Sequence, residues 1–116
     1  MAVINFTRYP IHYIDCDLFK MKVKGGLPIE IRYHTSKSYH PQIESTITWE
    51  LYIPEYPKVE PGDIVLIEKQ MLPLIKQLYL ELFVDARVVD IWVVDKVRKD
   101  KNGQVYVHKK DLYRVP

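Results

Sequence analysis

RVVDIWVVDKVRKDKNGQVYVHKK, residues 87–110, carries the strongest structural signals in the chain. Arg87 to Arg98 reads as one long strand, rich in Val, Ile and Trp and interrupted by Asp90 and Asp95. Asn102-Gly103 follows, and this dipeptide favours a tight hairpin turn because both central positions need positive φ. Val105 and Val107 then return on the far side. The segment predicts a C-terminal β-hairpin at about 87–110. It also carries an unusual share of the chain's positive charge.

Working back from it, Pro73 suits a first helical turn, where its missing N–H costs nothing. Leu74, Ile75, Leu78 and Leu82 form an apolar stripe at spacings of three and four, so a helix is expected at about 73–83. Pro61-Gly62-Asp63 reads as a turn that opens a buried strand from Ile64 to Glu68. Thr46 to Ile53 alternates, with Ile47, Trp49, Leu51 and Ile53 expected inwards and Trp49 and Trp92 expected in the core. Thr35 to Ser45 reads as an exposed loop. Phe19, Met21 and Val23 alternate with Lys20, Lys22 and Lys24. Gly25-Gly26 would then reverse the chain into Ile29, Ile31 and Tyr33, giving a first hairpin with one apolar and one charged face.

The elements predict one domain over residues 1–116, of α+β class and mostly antiparallel β. The helix would pack on a small curved sheet or a partly open barrel. In element order the chain resembles an oligonucleotide/oligosaccharide-binding (OB) barrel, which has a helix ahead of its final two strands.

Composition agrees. The 116 residues include 12 Ile, 13 Val and 9 Tyr against 2 Ala, which favours strands over a helical bundle. A single cysteine, Cys16, excludes an intrachain disulfide framework and a Cys-based zinc site. Asp on both sides of it would raise its thiol pKa, the reverse of what a nucleophile needs. Apolar runs such as Ile64–Ile67 and Ile91–Val94 fall far short of a membrane span of roughly 20 residues. No signal-peptide pattern opens the chain. A soluble protein of the cytoplasm, of a cell or of an infected host cell, is expected. Few Asn, Gln and Ser, with many Lys, Glu, Ile, Val and Pro, is the bias of hyperthermophile proteins, pointing to an archaeon or its virus.

The net charge of +2 hides an asymmetry. Residues 96–116 hold seven basic residues against two acidic ones, while the rest of the chain is net acidic. Lys96 and Arg98 alternate on one strand, Lys99 and Lys101 crowd the turn, and Lys109 and Lys110 follow the returning strand. Such cations can hold phosphates, and Tyr106 can stack on a base. Nucleic-acid binding through Lys96, Arg98, Lys99, Lys101, Tyr106, Lys109 and Lys110 is therefore expected. Lysines on exposed strands also serve to block edge-to-edge aggregation.

Material for catalysis is sparse. Asp15 and Asp17 would share a strand face and could meet a hard cation, with Asp63, Glu68, Asp90 and Asp95 as further acids, but no spacing links them. His34 and His40 flank a loop of hydroxyls and one lysine. No Gly-rich phosphate loop is present, Gly25-Gly26 reading only as a turn. The sequence thus predicts a non-enzymatic binding module with no catalytic residue, no metal and no cofactor. Nine tyrosines exceed what one small core can bury, and Tyr is enriched at interfaces. A homodimer is therefore expected on either reading, and the alternative function is a structural or host-interaction protein, viral or archaeal, that acts as such a dimer and binds a protein partner.

Overall fold

A computed structural model describes residues 1–36, 46–53, 59–76 and 90–115, without the side chains of 34–36 and 46–48. In chain order the strands are β1 (Val3–Asn5), β2 (Tyr13–Asp15), β3 (Lys20–Lys22), β4 (Lys24–Gly25), β5 (Glu30–Ser36) and β6 (Thr46–Tyr52). They continue as β7 (Ile64–Glu68), β8 (Asp90–Val94), β9 (Arg98–Lys99), β10 (Val105–His108) and β11 (Leu112–Arg114).

Every residue of β7 is buried, as a strand with apolar layers on both faces requires. It lies at the centre of a five-stranded sheet ordered β11-β8-β7-β1-β4. Val65 and Ile67 face one core with Ile4, Phe6, Ile91 and Val93. Ile64 and Leu66 face the other with Val3, Ile14, Val94 and Val107. The first core is closed by Ile29 and Leu51 at the base of the β5–β6 ribbon and by Met71. The second is closed by a flanking sheet ordered β3-β2-β10-β9. The central sheet is therefore sandwiched, and the described sheets are open.

β-rich architecture is as expected, but the pairing is mixed rather than mostly antiparallel. β1 pairs in parallel with β4 and β7, β7 with β8, and β10 with β2. The expected first hairpin does not form. β3 folds back on β2, with Ile14 opposite Met21, and β5 pairs instead with β6. Asp17 supplies the reversal at φ 66, a conformation Asp tolerates better than most residues. Gly25, expected in a turn, instead ends β4 beside Asn5. The long C-terminal strand is also divided: β8 belongs to the central sheet and β9 to the flanking one. Residues 87–89 lie outside the described part.

Helical structure starts earlier than expected, as a 3-10 helix over Lys69–Leu74 that contains Pro73. Residues 77–83 of the expected helix lie outside the described part. Pro61-Gly62-Asp63 does make its turn: Asp63 N–H donates to Glu60 O at 3.1 Å, and Gly62 takes φ 85. The buried Asp63 carboxylate accepts from the backbone N–H groups of Glu60 and Ala2, pinning the N-terminal strand beside β7. No helix among the described residues is long and apolar enough to cross a membrane.

Trp49 does not lie in the core. It is 56% exposed, although Leu51 on the same strand face is buried. Among the described side chains on this face of the ribbon, Ile31 and Leu51 reach the core, whereas Tyr33 and Trp49 are exposed.

Candidate nucleic-acid interface

The C-terminal hairpin forms around Asn102-Gly103, but through a longer turn than the tight one expected, in which Gly103 alone of the two takes positive φ. Val105 pairs with Lys99 and Tyr106 with Arg98, and Gly103 sits at φ 77. Asp100 braces the turn, its Oδ1 accepting from the N–H groups of Asn102 at 2.8 Å and Gln104 at 2.9 Å.

The expected site residues divide into groups. Arg98 donates to the buried Asp111 at 3.0 Å, and Lys96 lies 3.9 Å from the same carboxylate. Lys109 Nζ reaches Asp17 at 2.7 Å. Tyr106 stacks on Tyr13, with ring centroids 5.1 Å apart and planes within 3°. Lys99, Lys101 and Lys110 are exposed, and their side chains make no ion pair among the described residues. The seven therefore do not form one free cationic cluster.

Sequence reasoning missed what the flanking sheet adds. Registered neighbours share a sheet face, so Arg98, Tyr106, Tyr13 and Lys22 form a row across β9, β10, β2 and β3. The next row places His108, Asp15 and Lys20 together. Ile14 and Val107 point the other way, into the core. Lys20 and Lys22 are exposed, and Lys20 Nζ lies 4.7 Å from the Tyr13 ring centroid. The alternation of Lys20, Lys22 and Lys24 was the available signal, but nothing in it names β10 as neighbour to β2.

Electrostatics bind the two ends of the chain together. Lys109, and then His108, hold the Asp17 carboxyl below its ordinary pKa, and Asp17 raises Lys109 in return. His108 Nε2 donates to Asp17 at 3.0 Å while its Nδ1 accepts the Lys110 N–H, which assigns the ring proton to Nε2. Burial, followed by the Asp100 hydrogen bond, pushes the Tyr13 phenol up to about 12.

The acids expected to meet a cation are engaged separately. Asp15 Oδ1 accepts the Asp17 N–H, so this pair builds a turn. Glu68 holds Arg8, Asp90 holds Arg114, and Asp95 lies 4.0 Å from Lys69. Among the described residues no three metal-ligating side chains converge. Burial, then Asp15, raises the Cys16 thiol, in the direction read from its neighbours. His34 lies on β5 with its side chain outside the description, and His40 is outside it altogether. Known protein families, characterised proteins and solved structures return no match to this chain.

Proposed function

We propose that the chain is a non-enzymatic binding module, archaeal or viral and cytoplasmic, that takes single-stranded nucleic acid on the outer face of the flanking sheet. The observation that carries this reading is the row Arg98-Tyr106-Tyr13-Lys22, aromatic at its centre and cationic at its ends. Lys20, Lys99, Lys101 and Lys110 add charge around it. A strand face with basic and aromatic residues is the kind of surface on which OB barrels bind oligonucleotides, although the sheet here is open. Tyr13 covers one face of the Tyr106 ring, which leaves at most one face for a base. The three cations held by Asp111 and Asp17 contribute less than their number implies.

The test is oligonucleotide binding by the full chain across a salt series. Affinity should fall by about 0.7 log units per tenfold salt for each phosphate neutralised on a single strand. Changing Lys20 and Lys22 to Gln should lower that slope, and so should changing Lys99, Lys101 and Lys110. Tyr106→Leu should cost about 1–3 kcal/mol of binding if a base stacks there. Absence of binding to DNA and RNA at low salt overturns the reading and returns these lysines to guarding exposed strands.

A second reading has its own observation. Ile31, Leu51, Tyr33 and Trp49 share one face of the β5–β6 ribbon, and the last two are exposed. An apolar face that runs past the core suits a homodimer or a protein partner.

A further inference from the structure

β1 lies between two parallel neighbours, β4 on one side and β7 on the other. The chain leaves the end of β1, visits the flanking sheet, returns as β4, and later re-enters across β1 as β7. Connections that diverge in this way open a crevice at the carboxyl ends of parallel strands. A cavity of about 630 Å³ lies there, lined by Asn5, Arg8, Tyr9, His12, Lys22 and Gly25 among others. Its size falls within the range of small-ligand pockets.

The chemistry of the lining is one-sided. Arg8 and Lys22 border the cavity, and none of its described lining residues is acidic. Arg8 turns its Nε towards both oxygens of the buried Glu68, at 3.0 and 3.2 Å, which holds the side chain between this cavity and a smaller neighbouring one that Glu68 lines. Its outer N–H groups make no hydrogen bond to the described residues. His12 Nδ1 lies against the Val105 backbone, 3.2 Å from its N and 3.3 Å from its O, which holds the ring at the cavity wall. Asn5 Oδ1 accepts from Thr7 N–H and Oγ1, which sets the loop that carries Arg8 and Tyr9. A Cβ added at Gly25 would meet nothing within 4 Å, so a ligand can approach the backbone there. Tyr9 is 41% exposed and offers a ring at the same mouth.

We propose that this cavity binds a nucleoside phosphomonoester, with Arg8, Lys22 and the His12 imidazole on the phosphate. Two sources supply that chemistry: a free nucleoside monophosphate, or the 5′-phosphorylated end of a strand. Lys22 is shared with the strand-binding face whereas Arg8 and His12 lie outside the row that defines it, so variants at Arg8 and at Lys99, Lys101 and Lys110 tell the two sites apart.

The test titrates the full chain with AMP, adenosine and inorganic phosphate. It then compares a 5′-phosphorylated oligonucleotide with its 5′-hydroxyl counterpart. AMP should bind at least tenfold more tightly than adenosine, and Lys22→Gln should remove most of that difference. Arg8→Gln leaves Glu68 buried without its partner, so Arg8→Lys is the companion variant. It keeps a charge for Glu68, loses the planar fork, and should weaken AMP with the melting temperature retained. Changing Lys99, Lys101 and Lys110 to Gln should leave AMP binding unchanged, which separates this site from the strand-binding face. Preference for the phosphorylated oligonucleotide supports the proposal with a strand end as source. Equal binding of the two oligonucleotides, with AMP still preferred over adenosine, supports it with the free nucleotide as source. Absence of any phosphate-dependent preference in either arm, or AMP binding unchanged by both Lys22→Gln and Arg8→Lys, overturns it.

Discussion

Tyr13 joins parts of the molecule that are far apart in sequence. Its hydroxyl donates to Asp100 at 2.9 Å, its ring stacks on Tyr106, and Lys20 lies over it. Burial and then Asp100 push its phenol up to about 12. Because the folded state holds this proton beyond the ordinary Tyr value near 10, the contribution to stability is fully present below about pH 10. It is lost as pH rises from there through about 12. An absorbance titration of tyrosinate should therefore show a late-ionising component that Tyr13→Phe removes. Identical late limbs in the two proteins would refute this assignment. Tyr13 carried no signal of its own in the sequence. Its importance depends on partners 87 and 93 residues away, and no local pattern reports them.

The C-terminal hairpin is the element most legible from sequence, because the turn chemistry of Asn102-Gly103 is local. Its anchoring was not legible. Asp111 read as one of two acids that dilute a basic tail, yet it is buried and receives Arg98 and Lys96. A carboxylate held at the base of the hairpin orders β9 while partly neutralising two cations whose side chains stay half exposed. Replacing it with Ala should destabilise the fold by about 1–2 kcal/mol, less than a fully buried pair would cost because Arg98 remains half exposed. Urea unfolding measures this, and an unchanged midpoint would mean that the pair is only a surface contact. The same reasoning explains the failed first hairpin. Gly25-Gly26 permits a reversal, but β3 instead pairs with β2, where Met21 sits opposite Ile14 and packs on the second core with the buried Val23, while Phe19 stays exposed.

At the scale of the molecule, the central sheet lies between the flanking sheet and the base of the ribbon, and the ribbon's apolar face continues to Tyr33 and Trp49. The rings of this exposed pair lie 5.5 Å apart. If the second reading holds, sedimentation should give twice the chain mass, and Trp49→Glu should shift it to the monomer without lowering the melting temperature of the core. A monomer at high concentration sinks the dimer and leaves the strand-binding face untouched.

Turn chemistry and alternation are short-range properties, and from them the chain by itself determined its β-rich character, its buried strand from Ile64 to Glu68, its Pro61-Gly62-Asp63 turn and its basic hairpin. Only the tertiary structure decided which strands are neighbours. Four ladders are parallel, and a parallel pair needs a long crossover that no turn residue marks. The pairing of β10 with β2 therefore lay outside local pattern, and with it the row that brings Lys22 and Tyr13 to Tyr106 and Arg98. The crevice at the end of β1 has the same origin, since it exists only where β4 and β7 take opposite sides of one strand.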